Sequence, residues 1–250
     1  MFPLRAIINA CVALRIHPNI LTFVGVLINV AAAVALATNR FILAGVIMIV
    51  ANIFDFIDGK VAVLLGAVSK FGGFWDSVID RFSDIALFIG LIYLYSHLGR
   101  TDYVMVASLA MMFSIMTSYA RARAESLIPK CNVGFMERPE RIVLFMIGAF
   151  TNRMAGVLWV ILILSIVTVA NRIHYTYLAL NAKPIPTGPN ALTGAFSRAF
   201  FWRDERTTVP YDLWVIAILA FVWLTPPGWL NDPMASGAGP VGWLRALVNR

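Results

Sequence analysis

An all-α integral membrane protein is the fold class this 250-residue chain predicts, on three observations. Hydrophobic residues make up 60% of it and charged residues 13%, against roughly 45–50% and about 25% in soluble domains. Its mean hydropathy is +0.80. Apolar runs approaching the ~20 residues of a transmembrane helix recur along its length. The expected architecture is a six-transmembrane-helix bundle with an N-terminal amphipathic helix. A C-terminal extension contributes a candidate seventh helix.

The opening "MFPLRAIINACVALRIHPN" is interrupted by Arg5 and Arg15 and lacks a small-residue cleavage site. It reads as an amphipathic segment on the membrane surface rather than a cleavable signal. Apolar spans follow at 20–38, 41–56, 79–98, 103–119, 142–151 and 155–171. The second is expected to continue as a helix past Asp58 and Lys60 to Leu65, and the fifth to begin near Pro139. The segment 213–224 lies between Pro210 and Pro226-Pro227, which bound the candidate seventh helix. The stretch 183–210, rich in Pro, Gly and Thr, reads as a loop, and no internal repeat is evident.

The net charge of +7 is distributed between apolar helices instead of along a soluble basic face. That favours anionic lipid and phosphate-bearing substrates over nucleic acid. With the N-terminus in the cytosol, most of the 20 Lys and Arg residues fall on the inner side, as the positive-inside rule requires. The expected location is a cell membrane, multi-pass, with the polar site facing the cytosol. Cys11 and Cys131, with His17, His97 and His174, match neither a disulfide framework nor a zinc spacing.

The stretch "NIFDFIDGKVAVLLGAVSKFGGFWDSVIDRFSD" places Asp55, Asp58, Asp76 and Asp80 among apolar residues, where each charge costs several kcal/mol. Spacings of three and four put each pair on one helical face. A turn through Gly66, Gly72 and Gly73 lets the two pairs converge. Four converging carboxylates repel unless cations lie between them, and all-oxygen ligation suits Mg²⁺ or Mn²⁺. Two ions sharing these acids would form a clamp for in-line attack at phosphorus. The competing reading pairs the acids with Lys60, Lys70 and Arg81. Four acids at these spacings, with Gly59, Ala62, Gly66, Ser69, Gly72 and Gly73 between them, favour the metal site.

Asp55-x-x-Asp58-Gly59-x-x-Ala62-Val63-x8-Gly72-x3-Asp76-x3-Asp80 resembles the signature of the CDP-alcohol phosphatidyltransferases, D-x-x-D-G-x-x-A-R-x8-G-x3-D-x3-D. The resemblance covers about 15–175. It implies a six-helix membrane enzyme, usually a homodimer, that transfers a phosphatidyl group from CDP-diacylglycerol to a hydroxyl acceptor and releases CMP. It also implies the chain's division into a juxtamembrane segment 1–19, a transferase domain 20–175 and an extension 176–250. Carried over by position, Asp55, Asp58, Asp76 and Asp80 ligate two Mg²⁺ ions, with Mn²⁺ as the alternative, and Asp80 is also the catalytic base. Asn19, Ile20, Leu21 and Thr22 in "HPNILTFVG", with Gly59 and Ser69, match the donor-binding positions. One departure stands out: Val63 replaces the signature's arginine. Lys60, one helical turn earlier, is expected to restore the positive charge toward the donor's diphosphate.

The second informative stretch is "MTSYARARAESLIPKCNVGFMERPERIVL". Arg121 and Arg123 close one helix, Arg138 and Arg141 open the next, and Arg172 closes the last span. Their guanidinium forks suit one phosphate, while ion pairs with Glu125, Glu137 and Glu140 are the competing role, above all for Arg123 and Arg138. "SYARARAE" followed by "ERPERIVL" resembles the phosphatidylinositol phosphate synthase branch and its archaeal relatives. That resemblance assigns Arg121, Arg141 and Arg172 to the phosphate of inositol phosphate, a phosphorylated polyol. Glycerol 3-phosphate, giving phosphatidylglycerophosphate, is the rival acceptor. A cation transporter is the rival of another class, disfavoured because the acids cluster in one signature without repeated halves.

Overall fold

The computed structural model describes residues 2–182, 209–226 and 228–233. Residues 183–208 of the loop expected over 183–210, most of the tail after Asn231, and the charges on Lys183, Arg198, Arg203, Arg206, Arg245 and Arg250 lie outside them, while Val209 and Pro210 are helical. The described residues form helices and connecting turns, with no strand among them. In chain order the helices are α1 Phe2–Ala13, α2 Pro18–Ala37, α3 Phe41–Leu64, α4 Lys70–His97, α5 Thr101–Glu125, α6 Arg138–Thr151, α7 Met154–Leu180 and α8 Val209–Leu224.

A helix occupies each predicted position, and four are long and apolar enough to cross a membrane: α2, α3, α5 and α7. The expectation of six spans is therefore met only in part. Helix α4 has 28 residues, yet Lys70, Asp76, Asp80, Arg81 and Asp84 occupy its first fifteen. Helix α6 has 14 residues, roughly 21 Å at 1.5 Å per residue, short of a hydrocarbon core of about 30 Å.

Two compact units divide the chain, Met1–Gly99 and Arg100–Arg250. In the first, α2 is the shared helix. Thr22 meets Asp58 of α3 and Gly25 lies beside Asp55 and Phe54, so α2 and α3 run antiparallel. Asn29 donates to Ser83 of α4 and Gly90 packs on Ala33, so α2 and α4 run parallel. The expected N-terminal helix forms and buries Ile8 and Cys11 against Leu21, Ile57 and Val61. Pro18 supplies a fixed φ at the start of α2, capped by His17, whose Nδ1 accepts from the Asn19 N–H. Gly66, at φ +62°, ends the α3 turn in a conformation that favours glycine.

In the second unit, α7 is the most buried helix and packs with α5, α6 and α8. Pro139 opens α6, and Asn152 at φ 55° closes it in the left-handed conformation. The candidate seventh helix exists as α8, tied to this unit by Tyr211 donating to Glu140 (3.2 Å) and by Arg153 donating to the Thr225 carbonyl (3.1 Å). Cys131 is fully buried among Ala124, Ile128 and Val133. Burial pushes its thiol pKa up, which suits a packed hydrophobe rather than a nucleophile.

Helices α2 and α4 approach closely at Gly90, where an added Cβ would lie 2.3 Å from the Ala33 carbonyl oxygen. G90A is expected to destabilise the first unit by about 1–3 kcal/mol, seen as a melting temperature several degrees lower in detergent. G73A, where a Cβ meets nothing within 4 Å, should leave that temperature unchanged.

Candidate active site

Four carboxylates were expected on two adjoining helices, and the first unit supplies them where α3 ends and α4 begins. Asp55 and Asp58 lie on α3, one turn apart; Asp76 and Asp80 lie on α4, again one turn apart. Asp58 and Asp80 are buried, Asp55 and Asp76 half-buried. The charges of both Asp76 and Asp55 act on Asp58, so the acids of the two helices share one electrostatic neighbourhood.

Helix α2 orients the acids on α3. The Thr22 hydroxyl donates to Asp58 Oδ2 at 2.6 Å, in buried surroundings. Gly25 lies one turn on, where an added Cβ would sit 3.0 Å from Asp55 Oδ1. Two carboxylates are thus drawn toward α2. Among the described residues, no three His, Cys, Asp or Glu side chains are gathered as one ion requires. The donor set is all-carboxylate oxygen, the chemistry that suits Mg²⁺ or Mn²⁺, and its like charges share one region. The residues fit a divalent cation in chemistry, and taking one up requires the carboxylates to draw together.

The remaining donor-site positions divide. Asn19 lies near the α4 N-terminus, its Oδ1 3.8 Å from an added Cβ at Gly72. Ser69 caps α4, its hydroxyl accepting from the Gly72 N–H at 3.0 Å. Ile20 is exposed, whereas Leu21 is committed to the core with Ile57 and Val61. Gly59 is exposed, and a Cβ there would meet nothing within 4 Å, so no internal packing demands glycine at that position. Lys60 lies about 200° round α3 from Asp58 at 3.6 residues per turn. Its Nζ is 5.5 Å from the centre of the Phe56 ring, on the exposed strip that also carries Val63.

The second unit brings Arg121, Arg141 and Arg172 together. Arg172, 2% exposed, donates from Nε to the Val133 carbonyl (3.0 Å), from Nη1 to the Thr117 carbonyl, and from Nη2 to Glu137 Oε1 (3.1 Å). Arg141, 1% exposed, donates from Nη1 to the Thr117 hydroxyl at 3.2 Å. Arg121 donates to Glu125, Glu137 and Asn132 at 3.1, 2.7 and 3.2 Å. Arg121 and Arg172 therefore share one oxygen of Glu137, which keeps their terminal nitrogens within about 6 Å. At that distance like charges repel by roughly 3 kcal/mol at an effective dielectric of about 20, less where water screens Arg121.

Two of the expected glutamates do form ion pairs. Glu125 and Glu137 pair with Arg121, and Glu137 also with Arg172, while Arg123 donates to the Ser126 hydroxyl. Gly25 and Thr117 were missed from the sequence. Helical spacing offered a signal for both: Gly25 lies three residues after Thr22, and Thr117 four before Arg121.

Comparison with known proteins places this geometry. The sequence model of the CDP-alcohol phosphatidyltransferase family matches residues 15–180, nearly the stretch over which the signature resemblance runs. Archaetidylinositol phosphate synthase of Pyrococcus horikoshii is 38% identical over 173 residues, covering 69% of this chain and 89% of that protein. The crystal structure of Mycobacterium tuberculosis phosphatidylinositol phosphate synthase with CDP-DAG bound is similar at a TM-score of 0.68 and 25% identity, covering 73% of this chain and 97% of that one. The same enzyme in complex with manganese and citrate gives a TM-score of 0.67 at 26% identity, covering 71% and 90%. With its full aspartate signature and a match over residues 15–180, the chain belongs to the CDP-alcohol phosphatidyltransferase family.

Proposed function

We propose that this chain transfers the phosphatidyl group of CDP-diacylglycerol to inositol phosphate, releasing CMP, at the cytosolic face of a membrane and as a homodimer. The observation that carries the acceptor is the collection of Arg121, Arg141 and Arg172 around Thr117 and Glu137. A phosphorylated acceptor gives these cations a ligand; free inositol or serine does not. Two of the similar proteins are an archaetidylinositol phosphate synthase and a phosphatidylinositol phosphate synthase, which favours inositol phosphate over glycerol 3-phosphate.

The donor belongs to the first unit. Asp55, Asp58, Asp76 and Asp80 would hold divalent cations, two Mg²⁺ on this reading. Bound there, the cations would neutralise the diphosphate and the charge that develops on CMP. Thr22 fixes the Asp58 carboxylate, and the open space above Gly59 admits the diphosphate closely. Lys60, exposed on α3 with its ammonium over Phe56, would supply the positive charge that Val63 does not. The acceptor hydroxyl oxygen bonds to the β-phosphorus as the bond from that phosphorus to the CMP oxygen breaks. Asp80 receives the hydroxyl proton, which demands hydrogen-bond reach in the ternary complex. Arg121, Arg141 and Arg172 hold the acceptor's phosphate through charge-assisted hydrogen bonds.

The deciding experiment incubates the purified protein with CDP-diacylglycerol, Mg²⁺ and, separately, inositol phosphate, glycerol 3-phosphate, inositol and serine. Phosphatidylinositol phosphate and CMP should form with the first, and EDTA should abolish both until Mg²⁺ is restored. A phosphatidylglycerophosphate product would transfer the acceptor assignment, and ion flux without CMP would overturn the enzyme. D80N should eliminate CMP release while retaining the wild-type melting temperature. R141A should raise the acceptor KM about tenfold or more, since a hydrogen bond to a charged group contributes ~1.5–3 kcal/mol. Its donor KM should remain within twofold.

A further inference from the structure

Glu137 precedes α6, and its side chain makes no cap for that helix. It is directed instead to Arg121 of α5 and Arg172 of α7, which meet on its Oε1 at 2.7 and 3.1 Å. We propose that Glu137 is a positioning residue for the acceptor: it holds Arg121 and Arg172 so that their remaining N–H groups face a single phosphate. The inference rests on the acceptor reading above.

Three features carry it. A guanidinium has five N–H donors. Arg121 and Arg172 each use Nε, Nη1 and Nη2 once on partners among the described residues. One further N–H therefore remains on each terminal nitrogen of the two neighbouring guanidinium groups, a donor set that suits phosphate oxygens. Second, the two arginines differ in what fixes them. Arg172 is buried and anchored by two carbonyls in addition to Glu137. Arg121 is 38% exposed and its other partners, Glu125 and Asn132, are exposed. Glu137 is the link between the fixed guanidinium and the open one. Third, the like charges would repel without the carboxylate between them, which would swing the exposed Arg121 outward. Arg141 reaches the same group through Thr117, which also accepts from Arg172.

The test compares E137A, E137Q and E137D for KM of each substrate and kcat, with the wild-type protein alongside. E137A should raise the acceptor KM at least tenfold and leave the donor KM within twofold. E137Q keeps an oxygen to collect both arginines but loses the charge between them, so its acceptor KM should rise threefold or more yet less than in E137A, and its melting temperature should match wild type. E137D, with a shorter reach, should fall between them. An acceptor KM in E137A that stays level or drops would overturn the positioning role. Equal rises in both KM values with a lower melting temperature would show a structural role only. Should E137A not fold, an acceptor KM in E137D within twofold of wild type would overturn the proposal, and a rise of more than fivefold at an unchanged donor KM would support it. If the wild-type protein makes no product from inositol phosphate, the acceptor reading itself fails, independently of any Glu137 variant.

Discussion

Ionised groups inside an otherwise apolar chain must find compensation within the protein, and this constraint organises both units. Hydrocarbon offers no water to a carboxylate or a guanidinium. Each unit therefore surrounds its charges with donors, acceptors or opposite charges drawn from several helices. The two units resolve the demand differently, and the difference separates their chemistry.

In the first unit the four signature carboxylates share one sign. Asp58 obtains a short hydrogen bond from Thr22, and Gly25 leaves room for Asp55 beside α2. Neither contact neutralises the negative field that Asp55 and Asp76 impose on Asp58. Carboxylates of two helices gathered in one region are suited to cations, and through them to a diphosphate. The second unit interleaves opposite signs instead. Glu137 and Glu125 offset part of the cationic charge of Arg121, Arg141 and Arg172. The cluster keeps a positive excess with its geometry fixed by Thr117 and Val133. That arrangement suits a multiply charged anion better than a neutral alcohol.

Much of the site was legible because its spacing is helical. Asp55 to Asp58 and Asp76 to Asp80 are one-turn separations, so a periodic reading put each pair on one face, and the helices formed where apolarity predicted them. Span number was less legible. Hydropathy over 79–98 looked like a crossing, yet α4 begins nine residues earlier with its charged half, and α6 stops at Asn152 after 14 residues. Side-chain partners were less legible still. Arg123 was matched to the glutamates yet donates to Ser126, whereas Glu137 reaches Arg121 and Arg172, 16 and 35 residues away.

The sequence by itself determined the membrane character, the helix positions, the aspartate signature and the basic residues flanking α5, α6 and α7. These depend on composition and on repeats of three or four residues, which are local. Only the tertiary structure decided that Thr22 belongs to Asp58, that Gly25 makes room for Asp55, that Lys60 lies over Phe56, and that one glutamate oxygen gathers two arginines. Such choices depend on which helices lie side by side and in what register, and nearest-neighbour spacing along a chain carries no record of either.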